Sequence, residues 1–200
     1  MKVGVFLARM QPMHNAHLWM IEKACEENDM VLIVLGSSNK QETLRNPFSH
    51  TERVSYLNKH LSRNFSKKDV QKIKVIELPD WGKENGMVEL DKWGEYLYYN
   101  IVANIRQKHF NIYYSDNLDF IKLWFEHSLF IQKRVSIIYV ERQKVFNALS
   151  ATKIRKAFEN GNLDFISQFC PKVIIENYEE IRERYLEILK DPKADYKMLD

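Results

Sequence analysis

Residues 3–27 read VGVFLARMQPMHNAHLWMIEKACEE, and this stretch decides the fold. Its first part, residues 3–7, is a short apolar run that is typical of a buried strand. Residues 17–27 follow with apolar side chains at helical spacing, and a polar segment separates the two. A strand, a polar loop and an amphipathic helix in direct succession form the opening half of a βαβ unit.

The rest of the chain repeats this alternation of apolar runs and amphipathic stretches. Further strands are predicted at residues 30–35, 72–78, 110–114 and 135–140, and further helices at residues 50–61, 89–107, 118–126, 151–159 and within 162–190. The pattern predicts an α/β fold, namely a Rossmann-like, doubly wound parallel sheet of five strands with right-handed crossovers. The helices after the last strand predict a helical C-terminal extension.

Composition excludes several classes of protein. The chain has 200 residues, of which 45% are hydrophobic and 28% charged, as expected for one globular domain. A net charge of +3 is too small to predict a nucleic-acid partner. No apolar run is long enough for a membrane span, and no export signal precedes the first strand. Two cysteines, Cys25 and Cys170, cannot build a disulfide framework, so a cytoplasmic protein is expected.

The common glycine-rich phosphate loops are missing from this sequence. It contains no G-x-G-x-x-G, and residues 36–40, Gly-Ser-Ser-Asn-Lys, lack the second glycine of a P-loop. In parallel α/β sheets, ligands bind beyond the carboxyl ends of the strands. The loops that follow the predicted strands are therefore the candidates for a binding site.

The first candidate is the loop at residues 9–17, Arg-Met-Gln-Pro-Met-His-Asn-Ala-His. His14 and His17 are three residues apart, which places both imidazoles on one face of a starting helix. The free N–H groups and the positive dipole end of that helix suit an anion. A histidine pair also fits a structural or surface role, and a zinc site is disfavoured because no third ligand lies nearby in sequence.

The second candidate is residues 150–155, Ser-Ala-Thr-Lys-Ile-Arg, at the start of a late helix. Hydroxyl and N–H groups at a helix N-terminus, followed by Lys153 and Arg155, suit a polyphosphate. The alternative is an ordinary capped helix with solvated basic side chains. Taken alone, this motif favours the capped helix, and only its combination with the first candidate favours a binding role.

Together the two motifs resemble the nucleotidyltransferase superfamily, whose HxGH motif matches residues 14–17 and whose S-x-T-x-x-R motif matches residues 150–155. Within it, the chain is similar to the archaeal-type branch of the nicotinamide-nucleotide adenylyltransferases. That family's R-[MF]-Q-P-F-H-x-G-H stands at 9–17, its G-S-[AS] at 36–38, and its [RN]-[ND]-P-F-x-x-x-E-R at 45–53. The resemblance covers residues 1–158, which we expect to be the catalytic domain, with residues 159–200 as a helical extension and polar tail in the same structural unit.

The resemblance implies a reaction in NAD biosynthesis. Nicotinamide mononucleotide (NMN) would attack the α-phosphorus of ATP in line, giving NAD and pyrophosphate. The attacking phosphate is already ionised, so no general base is required, and catalysis is positioning with charge stabilisation. Mg²⁺ would arrive with ATP, and no resident metal site is implied.

The family motifs also imply roles for individual residues. Residues implied to act on the phosphates during catalysis are Arg9, His14, His17, Arg45 and Arg155. Residues implied to bind ATP are Gln11, Met13, Ser115, Asn117, Ser150, Ala151, Thr152 and Lys153. Residues implied to bind the acceptor are Gly36, Ser37, Ser38, Asp80, Trp81 and Trp93.

Some of these assignments have a structural alternative. A flat pyridinium ring favours an aromatic partner, for which Trp93 is the best match and Trp81 the second. Trp93 also lies on an apolar stripe at helical spacing, which fits packing alone. Residues 115–117 fit either a nucleotide-binding loop or a turn that caps the next helix.

One departure from the family pattern keeps other functions open. Ala16 stands where the family has the glycine of HxGH. Because of this difference, the sequence does not determine which acceptor substrate the protein uses or how fast it reacts. The alternatives are a nucleotidyltransferase that uses ATP or CTP with another phosphorylated acceptor, a non-catalytic nucleotide sensor, and an RNA-binding fragment related to tRNA synthetases. The amphipathic stretch at residues 176–190 would dock on the body or on another subunit, which is compatible with a homo-oligomer.

Overall fold

The computed structural model describes residues 1–80, 90–147 and 149–193. Its five strands are β1 Val3–Ala8, β2 Met30–Leu35, β3 Ile73–Glu77, β4 Phe110–Tyr114 and β5 Val135–Tyr139. They form one sheet in the order β3-β2-β1-β4-β5, and every neighbouring pair is parallel. The predicted fold, a doubly wound parallel sheet of five strands, is confirmed.

Helices cover both faces of the sheet. They are α1 Asn15–Glu27, α2 His50–Asn64, α3 Lys67–Lys72, α4 Leu90–Ile105, α5 Leu118–Phe125, α6 Leu129–Gln132, α7 Arg142–Phe146, α8 Ala151–Glu159, α9 Leu163–Phe169, α10 Lys172–Ile175 and α11 Tyr178–Lys190. The short helices α3, α6 and α7 were not predicted, because four to six residues are too few to show helical periodicity. The C-terminal helical region is confirmed, and it consists of three helices, α9 to α11.

Side chains of β2 explain why its sequence is apolar throughout. Val31, Ile33 and Leu35 point into one core, whereas Leu32 and Val34 point into the other. The first core also contains α1, α2 and α8–α11, and the second contains α4–α6. A strand buried on both faces cannot alternate apolar and polar residues.

The crevice of this sheet lies between β1 and β4. From β1 the chain winds outward to β3, then crosses over to β4 and continues to β5. β1 pairs with β2 along its whole length, up to Ala8, but its pairing with β4 stops at Phe6. The carboxyl ends of β1 and β4 therefore separate at the topological switch point, where such sheets bind their ligands.

Serine residues cap two helices that begin near the crevice. Ser49 Oγ accepts from the backbone N–H of Glu52 at 3.3 Å, and the N–H of Ser49 donates to Glu52 Oε2 at 2.9 Å, which forms a capping box. Ser150 Oγ accepts from the N–H of Lys153 at 3.4 Å. These caps fix where α2 and α8 begin, next to the crevice.

The helices after residue 158 share a core with the rest of the chain. Ile166, Ile174 and Ile181 are buried in the same cluster as the apolar face of α1. The division of the chain at residue 158 stays a prediction. Both cysteines are buried, and burial raises the pKa of Cys25 to about 11 and that of Cys170 to about 12, as expected for unreactive core thiols.

None of the helices in the described ranges has the length and apolar character that crossing a membrane requires.

Candidate active site

A cavity of about 640 Å³ opens at the carboxyl ends of the strands, between the N-termini of α1 and α8. Its lining includes these residues that the sequence singled out: Arg9, Gln11, His14, His17, Gly36, Ser37, Arg45, Asp80, Trp93, Ser115, Ser150, Ala151, Thr152 and Arg155. Ala16, the departure from the family pattern, is buried and also lines the cavity. The structure thus gathers segments that are far apart in sequence into one space.

The two histidines form a stacked pair at the start of α1. Their ring centroids are 3.7 Å apart with an interplanar angle of 19°, and His14 is the N-cap residue. The backbone N–H of His14 donates to Nδ1 of His17 at 3.3 Å. Because Nδ1 of His17 accepts, the proton of the neutral ring is on Nε2, which leaves that nitrogen as a donor. The cavity wall therefore carries an imidazole whose orientation and tautomer are fixed.

The side chain of Gln11 links the loop after β1 to the loop that precedes α2. Its Nε2 donates to the carbonyl oxygen of Phe48 at 2.8 Å, and its Oε1 accepts from the N–H of Phe48 at 2.9 Å. The side chain is 1% exposed, so both ends of the amide are used inside the protein. Gln11 shapes the cavity by holding the loop that carries Arg45.

Arg155 joins the two sequence motifs. One guanidinium nitrogen donates to the carbonyl oxygen of Gln11 at 2.8 Å, across 144 positions of sequence, and another donates to Thr152 Oγ1 at 3.1 Å. Burial lowers the pKa of Arg155, and the nearby charges of Arg9 and Arg45 lower it further. Three guanidinium groups close enough to repel one another make the cavity attractive to a polyanion.

Arg53 was quoted in a motif but given no role by sequence reasoning. It is 2% exposed, and its NH1 donates to the carbonyl oxygens of Arg9 and Gly36, both at 2.7 Å, while its NH2 donates to that of Ser37 at 3.2 Å. Burial lowers the pKa of Arg53 to about 10. An arginine on the buried stripe of α2, four residues before Leu57, was the signal that could have revealed it.

The carbonyls held by Arg53 belong to an unusual stretch of backbone. Met10 has a φ of 51° and Ser37 a φ of 53°, both in the left-handed region that non-glycine residues rarely adopt. These residues lie directly after β1 and β2, where the cavity begins. Arg53 therefore stabilises the unfavourable left-handed backbone conformation in both loops.

Asp80 also lines the cavity, and it is held by two side chains. Its Oδ2 accepts from Ser37 Oγ at 2.9 Å and lies 2.9 Å from the ammonium of Lys40. Lys40 is itself 4% exposed. The backbone N–H of Asp80 donates to Asn39 Oδ1 at 2.9 Å, so this loop is fixed through main chain and side chain alike.

Aromatic rings line the cavity as well. Trp93 and Trp124 meet edge to face with centroids 6.5 Å apart, and Tyr114 meets Trp124 at 5.8 Å. A Cβ atom on Gly94 would lie 1.6 Å from the carbonyl oxygen of Trp124, so α4 and α5 touch backbone to backbone here. Trp93 packs on the α4–α5 core and also lines the cavity, and its contact with an acceptor ring stays a prediction.

Tyr114 and Trp124 were not predicted as site residues. Tyr114 lines the cavity as the last residue of β4. Its position at the carboxyl end of a strand was the available signal. Trp124 lies in the middle of α5, and nothing in its local sequence distinguishes it from a core residue.

Four residues singled out by the sequence lie outside the cavity lining. Met13 is buried in the core at 3% exposure, and Lys153 Nζ donates to the carbonyl oxygen of Asn147 at 3.4 Å. Asn117 caps α5 by accepting from the N–H of Asp119, as the alternative for that loop predicted. Ser38 is half-buried, and its N–H donates to the carbonyl oxygen of Leu78. Trp81 lies outside the described residues.

The fold and the cavity define a nucleotide-binding α/β enzyme, because one cavity at the carboxyl ends of the strands is lined by cationic and N–H groups, which suit phosphates, and by aromatic rings. Residues 5–157 match the cytidylyltransferase-like family, and the chain belongs to it. It is therefore a nucleotidyltransferase by family, as the two motifs predicted.

Comparisons with individual proteins agree with the family. The chain is 26% identical to the nicotinamide/nicotinic acid mononucleotide adenylyltransferase of Acinetobacter baylyi, over 90% of this chain and 92% of that protein. It is 29% identical to the nicotinamide-nucleotide adenylyltransferase of Thermococcus sibiricus, over 90% and 84%. The crystal structure of a bifunctional NMN adenylyltransferase/ADP-ribose pyrophosphatase from Francisella tularensis shares the fold, with a TM-score of 0.68 and 21% identity over 95% of this chain. The chain spans about half, 52%, of that bifunctional protein.

Proposed function

We propose that this protein is a nicotinamide-nucleotide adenylyltransferase, which transfers AMP from ATP to NMN and forms NAD and pyrophosphate. The observation that carries the proposal is that one cavity is lined by His14, His17 and Arg155 and also by the aromatic rings of Trp93 and Trp124. The names of the Acinetobacter and Thermococcus relatives point to the same reaction.

ATP would occupy the cationic end of the cavity. Its triphosphate would lie between the N-termini of α1 and α8, where Ser150, Ala151 and Thr152 line the wall. Backbone N–H groups at helix N-termini and the guanidinium groups of Arg9, Arg45 and Arg155 suit phosphate oxygens. The N–H donor of His17 would stabilise the negative charge that develops on the leaving pyrophosphate.

NMN would occupy the aromatic end. Its pyridinium ring is flat and cationic, which matches the rings of Trp93 and Trp124 and the carboxylate of Asp80. Ser37 and Lys40 hold that carboxylate in place from the far side. A cavity of about 640 Å³ is in the range that holds a ligand of nucleotide size.

The chemistry requires no basic residue. A phosphate oxygen of NMN forms a bond to the α-phosphorus of ATP while the bond from that phosphorus to the pyrophosphate oxygen breaks. The phosphate of NMN is already ionised near neutral pH, so the enzyme has only to align the two nucleotides and to stabilise the pyrophosphate. Fixed donors such as His17 Nε2 and Arg155 suit both tasks.

We propose Mg²⁺ as the ion that accompanies ATP. Among the described residues, no group of three or more histidine, cysteine, aspartate or glutamate side chains could hold a resident metal. A divalent ion bound mainly by phosphate oxygens needs few protein ligands. The Francisella relative was crystallised with AMP and a manganese ion. A cytoplasmic location, a homo-oligomer and the lack of nucleic-acid or membrane partners stay predictions.

The test is an assay of pyrophosphate release with a panel of substrates. Purified protein is supplied with Mg²⁺ and ATP or CTP, and with NMN, its deamido form, phosphopantetheine or FMN, and products are identified by mass. We expect ATP with NMN to give NAD at the highest kcat/KM. Turnover with phosphopantetheine or FMN, and none with NMN, would show that the enzyme uses a different acceptor substrate. ATP binding without turnover would indicate a nucleotide sensor.

Replacing Trp93 with alanine tests the acceptor end. We expect the KM for NMN to rise about tenfold, because the variant loses the ring that would face the pyridinium. The KM for ATP should change less than twofold. Tyr99→Ala is the matched control, since Tyr99 is an exposed aromatic residue on the same helix. Equal rises in both KM values would mean that Trp93 only packs.

A further inference from the structure

Helix α11 lies outside the part of the chain that matches the family, yet it contacts the phosphate end of the cavity. The family match ends at residue 157, and α11 spans Tyr178–Lys190. Its neighbours include α8, which begins at the cavity, and the loop that precedes α2. The sequence alone suggested only that this helix docks on the body or on another subunit.

The first contact is with Arg155. Helix α11 packs on α8, the helix that carries Arg155. Tyr185 is 7% exposed, and its phenol group is a neighbour of the Arg155 guanidinium: burial lowers the pKa of Arg155, and the nearby phenol group raises it again. The guanidinium group donates to Gln11 and Thr152, and Tyr185 restricts it further. An arginine confined in this way loses less side-chain freedom when it binds a phosphate.

The second contact is with the loop that carries Arg45. Arg184 forms an ion pair with Glu52 and donates to the carbonyl oxygen of Pro47 at 3.2 Å. Its guanidinium group also lies over the ring of Phe48, 6.0 Å from the centroid. Arg184 therefore connects α11 to the capping box of α2 and to the residues directly after Arg45.

A third contact lies just beyond α11. The backbone N–H of Lys193 donates to the carbonyl oxygen of Glu42 at 2.9 Å, and its ammonium lies 2.5 Å from the Glu42 carboxylate. Glu42 precedes Arg45 in the same loop. The loop is thus held from both sides by the C-terminal segment.

We propose that α11 is a positioning element of the phosphate site, in which Tyr185 orients Arg155 and Arg184 holds the loop of Arg45 for the triphosphate of ATP. The inference rests on the proposed function for the identity of the nucleotide. It assigns a role in ATP affinity to residues beyond the family match. Neither Tyr185 nor Arg184 lines the cavity, so both act through other side chains.

The test removes one hydroxyl group and keeps the ring. Tyr185→Phe should raise the Kd for ATP with Mg²⁺ about fivefold, measured by calorimetry without an acceptor. The KM for NMN and the melting temperature should stay unchanged. Tyr178→Phe is the matched control, because Tyr178 is on the same helix, is also 7% exposed and stacks on Phe158. Equal Kd values for the two variants would overturn the role of Tyr185.

A second pair of variants tests Arg184 in the same way. Arg184→Ala should raise the Kd for ATP, and Arg184→Lys should restore part of the affinity. Arg63→Ala is the control, since Arg63 pairs with Glu176 at 2.7 Å and also joins α2 to the C-terminal helices. A loss of stability without a change in Kd would show that α11 only packs. Because binding is measured without turnover, failure of the adenylyl-transfer assay would leave this result intact.

Discussion

Replacing His17 with alanine is expected to lower kcat for NAD formation about 100- to 1000-fold, the loss typical of removing one preorganised donor to a developing charge. His17 lines the cavity, and its Nδ1 accepts from the backbone N–H of His14 at 3.3 Å. Under the proposed function, Nε2 is the donor to the leaving pyrophosphate. Alanine removes this donor and also the stacking partner and hydrogen-bond acceptor of His14, so stability has to be measured beside the rate. Loss of the donor should fall on kcat.

The measurement is steady-state kinetics with ATP and NMN, together with a thermal melt. His17→Asn, which keeps an N–H donor, should recover part of the rate. His50→Ala is the control, because His50 begins α2 outside the cavity lining and pairs with Glu77. A kcat for His17→Ala within threefold of wild type would show that His17 is not a catalytic residue.

The second large effect is expected from Arg53→Met, which should lower the free energy of unfolding by about 3 kcal/mol. Methionine is similar in length and apolar, so it leaves the carbonyl oxygens of Arg9, Gly36 and Ser37 buried without their donor. The left-handed backbone at Met10 and Ser37 also loses the group that holds it. We expect kcat to fall as well, since both loops line the cavity.

Urea unfolding at neutral pH measures this effect. Arg63→Met on the same helix is the control, because its guanidinium is exposed and pairs with Glu176 at the surface. That change should stay within about 0.5 kcal/mol, as surface substitutions do. If both variants lost the same small amount of stability, the buried hydrogen bonds of Arg53 would not hold the loops.

The fold could be predicted because its signals are local. The continuous apolar run at Met30–Leu35 indicated a strand buried on both faces, and Ser49 with Glu52 indicated where α2 begins. Short helices such as α3 were missed, since six residues do not complete two turns. Periodicity reports on neighbours in sequence, and it is strongest where an element is long.

The candidate site was partly predictable for the same reason. His14 and His17 are three residues apart, so one helical turn brings their rings together without help from the rest of the chain. The bond from Arg155 to Gln11 could not be deduced in this way, because the two residues are 144 positions apart. Trp124 joined the site only because Gly94 lets α5 approach α4.

By itself, the sequence determined the alternation of strands and helices, their caps and the residue types that suit phosphates. The tertiary structure decided which of those residues meet. It brought Arg53 into contact with the two loops that follow β1 and β2, and it placed Asn117 at a helix cap rather than in the cavity lining. It also packed α11 against the loop that carries Arg45. Local propensity acts over a few residues, whereas these contacts depend on how strands order in the sheet and how helices pack across it.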